Sequence, residues 1–154
     1  MKLLRVQNDR YIFHLHDREK ELLAIILGFY PVIPAAHYTL SKSPNAADKA
    51  HQTLLNEAMA EHRNENKKLV KAFLADSKRF HEADGSVWMT LSAGDIEWLL
   101  QVLNDIYVGH WILLGSPEES PSEIEVRELN VGQIGAMQIA QIFQGTLLHS
   151  IRKP

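Results

Sequence analysis

Two histidines and an aspartate near the start of the chain have side chains suited to holding a transition metal. His14 and His16 are two residues apart, and Asp17 is the next residue. Side chains two apart on a strand project from the same face, so two imidazoles and a carboxylate could bind zinc or iron. A histidine on the wetter face of a hairpin needs no metal, however. We therefore treat these residues as weak metal candidates and predict no resident metal or cofactor.

Three glutamates, Glu57, Glu61 and Glu65, recur at intervals of four residues in a stretch predicted to be helical. This spacing places them on one helix face, as paired carboxylates would be in a general acid/base or di-metal site. The Glu-x-x-His pair of carboxylate-bridged di-iron bundles is absent there, and His62 points away because it follows Glu61 directly. A solvated helix face is the favoured interpretation. A small metal-dependent enzyme using Glu57 and Glu61, or the two histidines, is the alternative.

The same stretch becomes basic towards its end, where it carries Lys67, Lys68, Lys71, Lys78 and Arg79. These side chains could contact phosphates, which makes weak nucleic-acid binding a further alternative. Positive residues near a helix C-terminus also complement the helix dipole, and neither a recognition-helix arrangement nor a glycine-rich phosphate loop accompanies them. Nucleic-acid binding is therefore kept as an alternative and is not the favoured interpretation.

Asn104 and Asp105 lie in the most apolar stretch of the chain. An ionised carboxylate in such a place needs a partner, because burying a charge by itself is very costly. Arg63 is the candidate partner, and the favoured interpretation is a structural ion pair that fixes how two helices pack rather than a catalytic pair. No catalytic residue is predicted.

The elements that would position these residues begin with a hairpin. Strands are predicted over Leu3 to Val6 and Tyr11 to Leu15, joined at Asn8-Asp9, two residues that tolerate the positive φ of a tight turn. A lone hairpin is marginally stable, so it must lie on helices. Ser86 to Leu91 has the Val, Trp and Thr content of a short extended segment.

Four helical stretches follow from apolar spacing and from breakers: Arg18–Phe29, Pro44–Glu82, Ile96–Leu114 and Val131–Ile151. Asp17 and Asn130 are predicted caps, and Ser43-Pro44 suits a helix start. The second stretch is either one long helix or two that meet near residues 61–68. Ser92 and Asp95 resemble a capping box at the start of the third. The predicted fold is mainly α: one domain, residues 1–154, forming a helical bundle with a small N-terminal β-hairpin and room for one short extra strand.

Composition limits the environment and the partners. The 154 residues include no cysteine, which excludes disulfides and thiolate chemistry and suits a reducing compartment. The formal net charge of −3 gives no long-range attraction to nucleic acid or to an anionic membrane. The sequence shows neither a secretory signal nor an apolar run long enough to span a bilayer, so we expect a cytoplasmic protein without membrane contact.

Several of these stretches resemble an uncharacterised bacterial family, domain of unknown function two-thousand-seventeen, along the full chain. The similar parts are Arg10–Leu27, Glu61-His62-Arg63, Trp98-Leu99, Leu103-Asn104-Asp105 and Leu114-Gly115. The chain departs from the family where arginines usually follow Asn-Asp, because Tyr107 and Leu113 stand there. The resemblance implies that Arg63 and Asp105 belong to a shared pattern, but it implies no biochemical activity.

The sequence therefore leaves the function open and favours a non-enzymatic interaction or regulatory module. Self-association, as in a homodimer, is expected because the stretch Ile96–Leu114 is apolar nearly all round and Trp88, Trp98 and Trp111 add large apolar surface. A protein partner is not identified by any motif.

Overall fold

The computed structural model describes residues 1–33, 46–83 and 85–152, without the side chains of residues 46–49 and 83. Its elements, in chain order, are β1 (Lys2–Gln7), β2 (Arg10–His16), α1 (Asp17–Gly28), α2 (Ala46–Ala75), β3 (Phe80–Ala83), β4 (Ser86–Ser92), α3 (Ala93–Leu113) and α4 (Val131–Arg152). The predicted helix start at Ser43-Pro44 lies outside the described residues.

The predicted N-terminal hairpin is confirmed. β1 pairs with β2 in antiparallel fashion, and the turn residues Asn8 and Asp9 have φ angles of 51° and 56°. Positive φ at both central positions is the requirement of the tight turn whose twist matches that of the flanking strands. The pattern of short apolar strands around Asn-Asp therefore predicted both the hairpin and its turn correctly.

The predicted fold class is confirmed in its predominance of helix, but the predicted helical bundle is wrong, because the hairpin is half of a four-stranded antiparallel sheet. The strand order is β1-β2-β4-β3, and β3 and β4 form a second hairpin. The helix predicted to reach Glu82 ends at Ala75, where the Asp76 carboxylate accepts a hydrogen bond from the backbone N–H of Lys78 at 3.0 Å. Phe80 then pairs with Met89 and is buried. The described residues form a mixed fold, in which four helices accompany the four-stranded sheet.

The start of α3 follows the predicted capping box. The Ser92 hydroxyl accepts a hydrogen bond from the backbone N–H of Asp95 at 3.1 Å, and the Asp95 carboxylate accepts one from the backbone N–H of Ser92 at 2.8 Å. Two free backbone donors are thereby satisfied reciprocally. The cap of α1 differs from the prediction, since Asp17 is the first helical residue and His16 takes the cap position.

The core lies between one face of the sheet and helices α1, α3 and α4. Phe13, Leu15, Val87, Met89 and Leu91 point from β2 and β4 into a single cluster of buried side chains. Helix α3 supplies the largest share of the helical part of this cluster, and α4 packs along α3. Within the described ranges, the helices fall short of the length and apolar content that crossing a membrane requires.

Candidate functional site

A buried polar network joins the end of α1 to α2 and α3. The Asn66 side chain, which is 5% exposed, accepts a hydrogen bond from the indole N–H of Trp98 at 3.1 Å. Its amide group donates to the Tyr30 hydroxyl at 3.3 Å. Asn66 was not identified from the sequence because it sits in a polar run. Its spacing from Val70 and Phe73, the two buried residues that follow on α2, is the signal that places it on the core-facing stripe.

Arg63 and Asp105, which the sequence suggested as partners, lie at the edge of this network. Both line a small cleft with Tyr30 and Gly109. The cleft brings together the end of α1, the middle of α2 and the second half of α3. Asn104, the neighbour of Asp105, is exposed on α3 and is not among the lining residues of this cleft.

Partial removal from water is the main influence on the pKa values of Asp105 and Tyr30. Burial raises the pKa of the Asp105 carboxyl above its ordinary value, although the charge of Arg63 acts in the opposite direction. Burial likewise raises the pKa of Tyr30, and Asn66 partly offsets the effect. The cleft thus holds a carboxylate that is more readily protonated than a fully solvated one, beside a cation and a phenol.

The two candidate metal ligands His14 and His16 share the outer face of β2, and their ring centroids are 5.1 Å apart. Asp17 is exposed at the first position of α1. Among the described residues, histidine, aspartate and glutamate side chains do not gather into any group of three or more that could hold a metal ion. The described chain therefore brings the two imidazoles together without completing a ligand set.

The charged stretches on α2 are spread over the solvent side of that helix. Glu57, Glu61 and Glu65 are exposed on α2, and so are Lys67, Lys68 and Lys71. Lys78, which was predicted to lie on the same helix, is exposed beyond its end at Ala75. Arg79 lies beyond the helix, where its guanidinium contacts the Asp95 carboxylate at 2.9 Å. Burial tends to raise the pKa of Asp95, but Ser92 and Arg79 outweigh that effect and hold it below the ordinary value. Arg79 thus ties β3 to the start of α3.

His110 is a buried histidine on α3 that the sequence did not single out. It is 7% exposed, and its ring meets the Phe29 ring edge-on with centroids 5.3 Å apart. Neither ring nitrogen has a hydrogen-bond partner among the described residues. Burial therefore lowers the pKa of His110, because the protonated ring would be a desolvated charge.

An open groove of about 750 Å³ lies between the N-terminal end of β1 and the second half of α4. Met1 and Leu3 form one side, and Ile142, Gly145 and His149 belong to the other. Ile142 is 67% exposed in this groove. The sequence prediction missed this surface because it looked for exposed apolar residues on α3.

Most of the α3 side chains that motivated that prediction are covered. Ile96, Leu99, Val102, Leu103 and Ile106 are fully buried. Trp98 and Trp111 are half-buried, and each donates its indole N–H, to Asn66 and to the Pro117 carbonyl oxygen respectively. Of the side chains that motivated the prediction, Ile112 and Leu113 at the end of α3 are 37% and 57% exposed, and other exposed apolar side chains, such as Ile142, lie elsewhere on the molecule.

Comparison of the chain with protein-family models, with curated proteins and with solved structures gives no match.

Proposed function

We propose that this protein is a non-enzymatic interaction module that self-associates through the outward face of α4. The observation that carries the proposal is that α4 has no aspartate, glutamate, lysine or arginine from Val131 to Ile151, although part of the helix faces solvent. Its outward positions are Gln138, Gln141, Ile142, Gly145 and His149. Depletion of charge is the compositional mark of the centre of a protein–protein interface.

A second copy of the chain suits this face better than a charged partner. The molecule carries a net charge of −3, so two copies repel each other over most of their surfaces. Pairing α4 with its symmetry mate places no like charges in contact, because that face has none. Helix α4 has 22 residues and is therefore roughly 33 Å long, so a two-fold axis near Ile142 would bring an extended stripe of each helix together.

The glycines of α4 support a close approach of another helix. Gly135 and Gly145 lie within the helix, where glycine costs about 1 kcal/mol relative to alanine. Among the described residues, no atom lies within 4 Å of where a Cβ would be at either position, so packing within the chain does not require glycine there. Glycine at these two positions would allow the backbone of another helix to approach α4 closely.

Sedimentation velocity from about 1 to 100 µM protein tests the proposal, because weak dimers dissociate in this range. We expect a dimer that Ile142→Asp converts to a monomer, since the substitution would bury a charge in the contact. Leu129→Asp is the matched control, because Leu129 is 94% exposed in the loop before α4 and should leave the dimer intact.

Gly145→Ala separates a role in contact from a role in folding. The substitution should weaken association at least tenfold while leaving the monomer equally stable or slightly more stable, because alanine favours the helix. A wild-type protein that stays monomeric at the highest concentration would contradict self-association. So would a loss of dimer in Leu129→Asp equal to that in Ile142→Asp.

A further inference from the structure

The outer face of the sheet carries a row of four rings. Strand register places His14 and His16 of β2, Trp88 of β4 and His81 of β3 on the face opposite the core. The ring centroids of neighbours in this row are 5.1 Å apart for His16 and His14, 6.2 Å for His14 and Trp88, and 5.9 Å for Trp88 and His81. His14 and Trp88 are half-buried, whereas His16 and His81 are exposed. The rings therefore form a continuous aromatic path across three strands.

The same face is rich in cations. Register places Lys2 and Arg5 of β1 and Arg10 of β2 on it, and all three side chains are exposed. Among the strand side chains described on this face, none is acidic. Asp9 and Asp17 lie at the two ends of β2, and Glu82 belongs to the other face, where it pairs with Lys20. A chain of net charge −3 thus concentrates three positive charges beside an aromatic row.

We propose that this outer sheet face binds single-stranded nucleic acid. Bases would stack on the row formed by His14, Trp88 and His81, and phosphates would lie beside Lys2, Arg5 and Arg10. Four strands spaced about 4.8 Å apart make a platform roughly 14 Å wide, which suits the two or three bases that open four-stranded sheets accommodate. Base–aromatic stacking tolerates any sequence, because every base has a π-face.

Other anionic partners use only half of this arrangement. An acidic protein or an anionic membrane would meet the three cations but would offer no planar rings to the aromatic row. The bases of a duplex are stacked inside it and cannot stack on these rings. The face of a sheet also does not project into a groove of the duplex. The surface differs from the basic stretch of α2 and lies on the face of the sheet opposite the core, and of its three cations Lys2 also lines the groove beside α4. The variants below therefore change Arg5 and Arg10 and leave Lys2 in place, which keeps this test separate from that of self-association.

Fluorescence anisotropy with labelled oligouridine and oligothymidine, each twelve nucleotides long, tests the proposal. Three phosphate contacts on a single strand predict a log–log salt slope of about −2, so affinity should fall roughly twentyfold between 50 and 200 mM salt. The combined variant Arg5→Glu and Arg10→Glu should bind at least tenfold more weakly. Lys67→Glu with Lys71→Glu is the matched control on α2, and it should bind as the wild type does.

Trp88 is tested by a pair of variants, so that misfolding is not mistaken for lost contact. Trp88→Ala should weaken binding about tenfold, whereas Trp88→Phe keeps a ring and should stay within about threefold of the wild type. Absence of binding at 50 mM salt would overturn the proposal. Equal affinity for vesicles of anionic lipid, or a loss of binding confined to the α2 variant, would also overturn it.

Discussion

The indole N–H of Trp98 donates a hydrogen bond to the side-chain oxygen of Asn66 across 3.1 Å and so joins the second turn of α3 to the middle of α2. Asn66 also donates to the hydroxyl of Tyr30, at the end of α1. The buried side chain of Asn66 therefore connects α2 to α3 and to the end of α1. Because Tyr30 is buried and Trp98 is half-buried, water can replace these bonds only in part when Asn66 is lost.

Replacing Asn66 by alanine should lower the free energy of unfolding by about 2–3 kcal/mol, since an indole N–H and a phenol lose their partner and a small cavity forms. Urea denaturation followed by tryptophan fluorescence measures the change. Asn64→Ala, on the exposed side of the same helix, is the control and should change stability by less than about 0.5 kcal/mol. Similar losses for the two variants would show that the network contributes nothing specific.

The second prediction concerns the influence of Arg63 on Asp105. Burial raises the pKa of this carboxyl, and the charge of Arg63 limits the rise. Arg63→Met should therefore move the Asp105 pKa upward by roughly one unit, measured by carbon NMR titration of the carboxyl groups. Lys67→Met, which removes an exposed charge from the same helix, should leave the pKa of Asp105 unchanged.

The direction of the Asp105 shift also sets a dependence of stability on pH. Its folded-state pKa is above the ordinary value of 3.8, so the folded state binds the proton more tightly than the unfolded chain does. The resulting stabilisation is complete below pH 3.8 and is lost as the pH rises through the folded-state pKa. Asp105→Asn should remove this decline. An unchanged stability profile in Asp105→Asn would contradict the assignment.

The sequence predicts those parts of the structure that depend on residues close together in the chain better than those that depend on distant residues. The Asn8-Asp9 turn and the Ser92–Asp95 capping box were predicted correctly, because each is set by residues within four positions of one another. The stretch at Phe80 was wrongly predicted to be helical. Its pairing with Met89 is a contact between two strands, which the spacing of apolar residues does not reveal. Composition favoured helices, and strand pairing outweighed it.

Among the candidate sites, the cost of burying a charge led from Asp105 to Arg63. Both residues line one cleft, but Asp105 is exposed on α3, and their ion pair stays a prediction. By contrast, the row of rings on the sheet depends on the register that sets Trp88 opposite His14 and His81. These residues are separated by more than sixty positions from β2 to β4, so no local pattern could bring them together. The metal hypothesis identified His14 and His16, two of the four rings, but it did not include Trp88 or His81.

The third prediction uses the buried ring of His110. Its folded-state pKa is below the ordinary 6.5, so the unfolded chain binds the proton first as the pH falls. Stability should therefore decrease as the pH is lowered through 6.5 towards the folded-state pKa. His110→Leu should flatten this part of the profile and should raise the free energy of unfolding at pH 6, because it removes two buried nitrogens that lack partners in the described structure.

Thermal unfolding of the wild type and His110→Leu between pH 5 and 8 measures both effects. His51→Leu is the control, because His51 is exposed on α2, does not belong to the proposed α4 contact and should leave the slope as it is. A variant that is less stable than the wild type at every pH, with the same slope, would mean that the imidazole is needed for packing and that its titration is not linked to folding.

The last prediction rests on the closest approach of α3 to the segment after α1. A Cβ added at Gly109 would lie 2.6 Å from the Cβ of Val32 and 3.0 Å from its Cγ1, which is too close for either side chain to remain in place. Gly109→Ala should therefore destabilise the protein by about 1–3 kcal/mol, even though alanine favours a helix. Gly94→Ala, in the first turn of the same helix, would meet only the Ser92 hydroxyl oxygen at 4.0 Å among the described atoms, and it should be neutral or stabilising. Combining Gly109→Ala with Val32→Gly removes the Cβ that makes the closest contact and should recover some of the lost stability, whereas a purely additive loss in the double variant would contradict a contact between these two residues.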